Sequence, residues 1–159
     1  MPAAQPAPVT SASTPPVVTT TTAAFPTTTV GTDTGDVSGF EVVEAPLGSD
    51  VLLLALADDS SLRSRGLMGV RDLGELDGML FSWGGDEVNS RFTMRNTLIP
   101  LTIVFFDGDG AFVSTTEMVP CETEECPTYG AARSYSYAIE FPAGTPVSTG
   151  DRLGVEDLG

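Results

Sequence analysis

Seven arginines are the only basic side chains in a chain of 159 residues, set against 22 acidic ones for a formal net charge of −15. With so few cations available, Arg65, Arg91 and Arg95 are the obvious anchors for a small polar or anionic ligand. Arg65, Arg95, Asn96 and Thr97 form the candidate ligand-binding set. The same residue types also serve structure. In β-rich proteins Arg and Asn often satisfy loop carbonyls or pair with carboxylates, and Thr97 with Pro100 can shape a turn. Both readings stand at the level of sequence.

The absences are informative. There is no Lys and no His. This excludes a histidine general base, a Ser–His–Asp triad and histidine-ligated zinc or copper. It equally excludes a lysine Schiff base and a phosphate-binding P-loop lysine. Carboxylate, thiol and hydroxyl chemistry remain. A pair of carboxylates could hydrolyse a glycosidic bond, but no spacing singles out a pair. Met68, Met79, Met94 and Met118 carry thioethers of the kind that hold Cu(I). The first three sit beside apolar or motif residues and read as core packing. Asp107-Gly108-Asp109-Gly110 has the beginning of a calcium loop, yet ligand positions 5 and 12 would fall on Ala111 and Met118. A hairpin turn fits it better, and a looser calcium site at Glu122-Thr123-Glu124-Glu125 is the weaker alternative. No metal and no cofactor is expected.

Cys121 and Cys126 are the only cysteines. A disulfide across so short a loop is easily made, and the chain-entropy argument values it at about 2 kcal/mol. Zinc would need two further ligands, and the usual ones are absent. A redox pair is ordinarily spaced by two residues with a lowered thiol pKa; the three glutamates between these cysteines act in the opposite direction. A structural disulfide is the expectation, with free thiols as the alternative. It implies an oxidising compartment.

The elements that must carry these residues are mostly strands. Phe40–Glu44 and Val51–Leu56 are short apolar runs. Leu101–Phe106 and Ala111–Thr116 flank the Asp107–Gly110 turn in a hairpin pattern. Tyr135–Phe141 alternates and stops at Pro142-Ala143-Gly144. One short helix is expected near 59–66, with the Asp58-Asp59-Ser60-Ser61 cluster as N-cap and Gly66 as terminator. Breaks at Gly or Pro every 8 to 12 residues suggest an antiparallel β-sandwich or barrel-like domain over residues 39–159.

Residues 1–38 differ. Up to Thr34 they hold 11 Thr and 6 of the 12 Pro, with no basic residue. Such composition cannot bury enough apolar surface to offset the entropy of ordering, so a disordered Thr/Pro-rich stalk is expected. The opening Met1-Pro2-Ala3-Ala4-Gln5 lacks the charged and apolar regions of a signal peptide, and no stretch reaches the length of a membrane span.

Four segments are ordered and spaced like a known family: Arg65-Gly66-Leu67-Met68, Gly78-Met79-Leu80-Phe81, Phe92-Thr93-Met94-Arg95-Asn96-Thr97 and Ile99-Pro100-Leu101. Over roughly residues 40 to 156 the chain resembles the domain of unknown function 192 family. The loop ending Cys126-Pro127-Thr128-Tyr129 and the segment Ile139-Glu140-Phe141-Pro142-Ala143-Gly144 are similar to those of its exported members. The resemblance implies a mainly β domain with a short helix and assigns no reaction. Two positions depart from the family pattern: Thr93 stands where Trp is usual, and Thr102 where Asp is usual. Trp83 could fill space similar to that of the missing Trp.

These readings converge on an exported or surface-tethered binding domain that is not an enzyme. The alternative is a carboxylate-dependent hydrolase or carbohydrate-active enzyme. So acidic a chain repels nucleic-acid phosphates and anionic headgroups, so neither is an expected partner; a small polar or anionic ligand, or an envelope component, is. Thiol titration of the native protein is expected to find no free thiol, and two reactive thiols would remove the cysteine argument for export.

Overall fold

The computed structural model describes residues 32–156. The expected stalk lies outside the described residues as far as residue 31. Just beyond it the chain is already packed. The Asp36 backbone N–H donates to the Asp72 carbonyl at 2.7 Å, and its carboxylate accepts from the N–H groups of Arg71 and Asp72 at 3.0 Å each. Those two bonds hold the Asp36 carboxyl below the usual carboxylate range. Val37 beside it is buried in the core, so the packed chain starts ahead of residue 39.

The protein is mainly β. β1 (Glu41–Leu47) and β2 (Asp50–Ala57) form an antiparallel hairpin. Helix α1 (Ser60–Arg65) follows, capped where the sequence places its caps: Asp59 Oδ1 accepts from the Leu62 N–H at 2.8 Å, and Gly66 closes the last turn at φ 47°. β3 (Gly78–Ser82) then runs parallel to β2, and the long connection through α1 supplies the crossover that parallel strands need. β5 (Leu101–Phe106) and β6 (Phe112–Met118) are the hairpin expected around Asp107–Gly110. Asp107 is used up in that turn, its carboxylate accepting from the N–H groups of Asp109 at 3.0 Å and Ala111 at 2.9 Å. β8 (Tyr137–Pro142) inserts between β3 and β5. The result is one six-stranded sheet in the order β1-β2-β3-β8-β5-β6, antiparallel except at β2–β3. β4 (Phe92–Thr93) and β7 (Thr128–Tyr129) pair apart from it.

Both faces of this sheet are covered, which is why its central strands β3 and β5 are buried along their whole length. Ala55, Met79, Phe81, Ile103, Phe105 and Ala138 face one core, roofed by Leu67, Val70, Leu73, Leu76 and Met94 from the loops. Leu54, Leu80, Val104, Phe106, Ile139 and Phe141 face the other, together with Leu153. The C-terminal segment straps the two sheet edges without closing a barrel. Leu153 N–H donates to Gly110 O at 2.8 Å and Gly154 N–H to Pro46 O at 2.9 Å. The arrangement is sandwich-like, with the loops and the β4–β7 pair as the second layer. Cys121 and Cys126 form a disulfide. Among the described residues no helix is long and apolar enough to cross a membrane.

Gly78 sets the spacing at the sheet centre. A methyl group there would fall on the Glu140 carbonyl oxygen of the neighbouring β8. Replacing Gly78 by Ala is therefore expected to cost about 1–3 kcal/mol in chemical denaturation, as overpacking does. A variant as stable as the wild type would show that β3 and β8 do not approach so closely.

Candidate functional site

Helix α1 is too short to bury a face, and none of its residues is buried. What it contributes is a rim. Ser60, Arg63, Ser64 and Arg65, then Gly66, Leu67 and Met68, form one side of a cavity of about 370 Å³. Ser90–Thr93, Thr97, Trp83, Phe81 and Glu140 complete the lining, and a backbone bridge joins Met68 to Thr97. That volume suits a small ligand.

The apolar wall is a fixed aromatic cluster. Trp83 meets Phe92 and Tyr135 edge-on at centroid distances of 6.3 and 5.3 Å, and Phe92 meets Phe81 at 5.0 Å. The Tyr135 hydroxyl is buried and donates to Ser90 O at 2.6 Å, tying the Ser90–Thr93 segment to the core; burial raises its pKa far above the usual phenol range.

Three of the seven arginines line the cavity, and each is held without a carboxylate. Arg63 Nη1 donates to the carbonyls of Asp58 at 2.7 Å and Ser82 at 2.8 Å, and its guanidinium lies 5.2 Å from the Trp83 ring centre. Arg65 Nη2 donates to Ser38 O at 2.5 Å, with the guanidinium 4.2 Å over Phe40. Arg91 donates through Nε and Nη2 to the Oγ1 and carbonyl of Thr128, both at 2.8 Å. The one ion pair among the described residues is Arg133–Asp107, at the hairpin turn.

Glu140 is the unusual residue. It lies on the central strand β8 opposite Met79 and Ile103, on the face that Ala138 presents to the loop-roofed core. It is 5 % exposed. No described group donates a hydrogen bond to its carboxyl, and burial alone pushes its pKa up to about 8. At neutral pH the side chain is therefore mostly a neutral acid, open to the cavity and able to donate as well as accept.

The four candidate residues separate. Arg65 and Thr97 are brought together in the cavity lining. Arg95 and Asn96 are exposed and do not line it. Asn96 adopts φ 59°, a left-handed conformation that Asn tolerates, and its carbonyl accepts from Gly69 N–H at 2.9 Å. Arg95 bridges to Cys121 through the backbone. Sequence reading missed Glu140, Arg63 and the aromatic wall as site residues. A glutamate in the middle of an apolar run between Ile139 and Phe141 was the available signal. Thr93, the residue at the usual Trp position, lines the same cavity as Trp83. Thr102 is buried in structural bonds, donating to Glu117 at 2.7 Å and accepting from Gly144 N–H at 3.2 Å.

The raised Glu140 pKa has a testable consequence. Since its folded value lies above its unfolded value of 4.5, the folded state binds the extra proton between them. Stability is fully present below that window and falls as pH rises through it, by up to roughly tenfold in the folding constant per pH unit. Denaturation of wild type and Glu140→Gln from pH 5 to 9 is expected to show this fall in the wild type only. Equal slopes would mean that Glu140 folds ionised.

Comparisons with known proteins agree with this architecture. The family described as Uncharacterized ACR, a domain of unknown function, matches residues 43–155. No curated protein matches the chain. Among solved structures, a putative transcription regulator from Sinorhizobium meliloti 1021 is 32% identical, with a TM-score of 0.63, covering 76% of this chain and 97% of its own. A protein of unknown function from Novosphingobium aromaticivorans DSM 12444 is 26% identical, with a TM-score of 0.67, covering 78% of this chain and 92% of its own.

Proposed function

The chain belongs to the domain of unknown function 192 family, and from its cavity we propose that it is a binding domain for a small polar ligand rather than an enzyme. The carrying observation is Glu140, a carboxyl buried at a cavity wall with no hydrogen-bond partner among the described residues. Its oxygens open onto the cavity rather than being sealed off, so a ligand's polar group can take the place of the water that hydrates them. The aromatic wall supplies a place for the apolar part of such a ligand, and Ser60, Ser64, Ser90, Thr93 and Thr97 supply hydroxyls.

The hydrolase alternative is less well supported. Two-carboxylate hydrolysis needs a second acid facing the first across the substrate, and Glu140 is the one acidic residue among those lining the cavity. The Sinorhizobium protein's description as a transcription regulator gives no reason to propose DNA binding here, because a net charge of −15 opposes phosphate contact. An exported or surface-tethered setting is supported by the disulfide and by the Thr/Pro-rich composition ahead of the domain.

A thermal-shift screen against sugars, organic anions and divalent metals tests the reading. At least one compound is expected to raise the wild-type Tm by mass action, with the shift lost in Trp83→Ala and in Glu140→Gln. A screen without a shift, or a shift kept in both variants, rules it out.

A further inference from the structure

Four of the seven arginines lie away from the cavity, and three line it in a chain whose net charge is −15. Cations in so acidic a protein have abundant carboxylates to choose from. Arg63, Arg65 and Arg91 are nevertheless fixed by backbone carbonyls, a threonine hydroxyl and aromatic rings. Those contacts orient a guanidinium without neutralising it. A guanidinium has five N–H donors, and the bonds described engage only Nη1 of Arg63, Nη2 of Arg65, and Nε and Nη2 of Arg91. Each keeps donors and a full charge beside the cavity. Thr128, which holds Arg91, follows closely on the Cys121–Cys126 disulfide and pairs with Thr93 of the cavity wall. Arg91 is thus held by a segment that starts just past the disulfide.

Resting on the binding reading above, we propose that the ligand is a small organic carboxylate that also carries a hydroxyl group, its carboxylate facing the Arg63–Arg65–Arg91 rim, its hydroxyl facing Glu140 and its apolar side against Trp83 and Phe92. A planar carboxylate matches the guanidinium fork. The hydroxyl satisfies a buried group that is able both to donate and to accept. An aromatic hydroxy acid and a sugar acid share this chemistry, and both fit a cavity of about 370 Å³.

Calorimetric titration of the whole chain at pH 6 and low salt distinguishes the possibilities, with mandelate set against mandelamide and glucuronate against glucuronamide. In at least one pair the carboxylate is expected to bind about tenfold tighter than its amide, as one well-placed charged contact provides. The pair that shows the preference identifies the source. The preference is expected to shrink in 0.5 M salt, to fall in Arg65→Gln and in Arg91→Gln, and to survive in Arg95→Gln, whose site lies outside the cavity. Arg65→Gln leaves the Thr128 contacts in place, so it remains decisive if the Arg91 variant folds poorly. Amides binding as tightly as the acids overturn the anion inference and leave the binding reading standing. An equal loss in Arg95→Gln overturns it as well, since the general field would then be responsible. If none of the four compounds binds at millimolar concentration, the inference fails, and the thermal-shift screen separately decides the binding reading.

Discussion

The structure depends on the tight packing of β3 against β8 at the centre of the sheet. Gly78 leaves no room there for a side chain, and Glu140 stands on the strand it faces. Because the sheet is buried on both faces, a polar residue on β8 has no route to bulk solvent except through the loop layer. The cavity is that route. A charge in such a place is expensive, so the group holds its proton instead. The chemical character of the pocket follows from sheet geometry as much as from the residues lining it.

Around this centre the loop layer is organised by small, local devices. Asp59 and Gly66 fix a six-residue helix that could not persist alone. The left-handed turn at Asn96 joins the segment after that helix to the 94–97 segment. Tyr135 anchors Ser90, and the disulfide loop leads into β7, which holds Arg91. None of these devices sets a carboxylate against a rim guanidinium, which leaves those guanidiniums unneutralised.

Much of the fold was legible because the relevant signals are local. The strands of both hairpins, the capped helix and the Asp107 turn all follow from apolar runs, cap residues and glycine positions. The short β4 and β7 were not legible, since two-residue strands carry no period. Nor was the parallel pairing of β2 with β3, which depends on how the long crossover docks. Of the four candidate residues, Arg65 and Thr97 lie in the cavity lining, and Arg95 and Asn96 belong to an adjoining turn. Adjacent residues on a turn point to different sides, so a shared motif does not mean a shared pocket.

The sequence by itself determined the β character, the short helix, the cysteine pair and the charge imbalance, because these are matters of composition and near-neighbour spacing. It also excluded histidine and lysine chemistry outright. Only the tertiary structure decided that Glu140 is a neutral acid in a cavity and that Arg63, Arg65 and Arg91 share its lining. Glu140 lies 49 positions from Arg91 in the chain, and nothing in its own segment records which loop covers it. Burial and charge are properties of surroundings, and those surroundings are assembled from residues far apart in sequence.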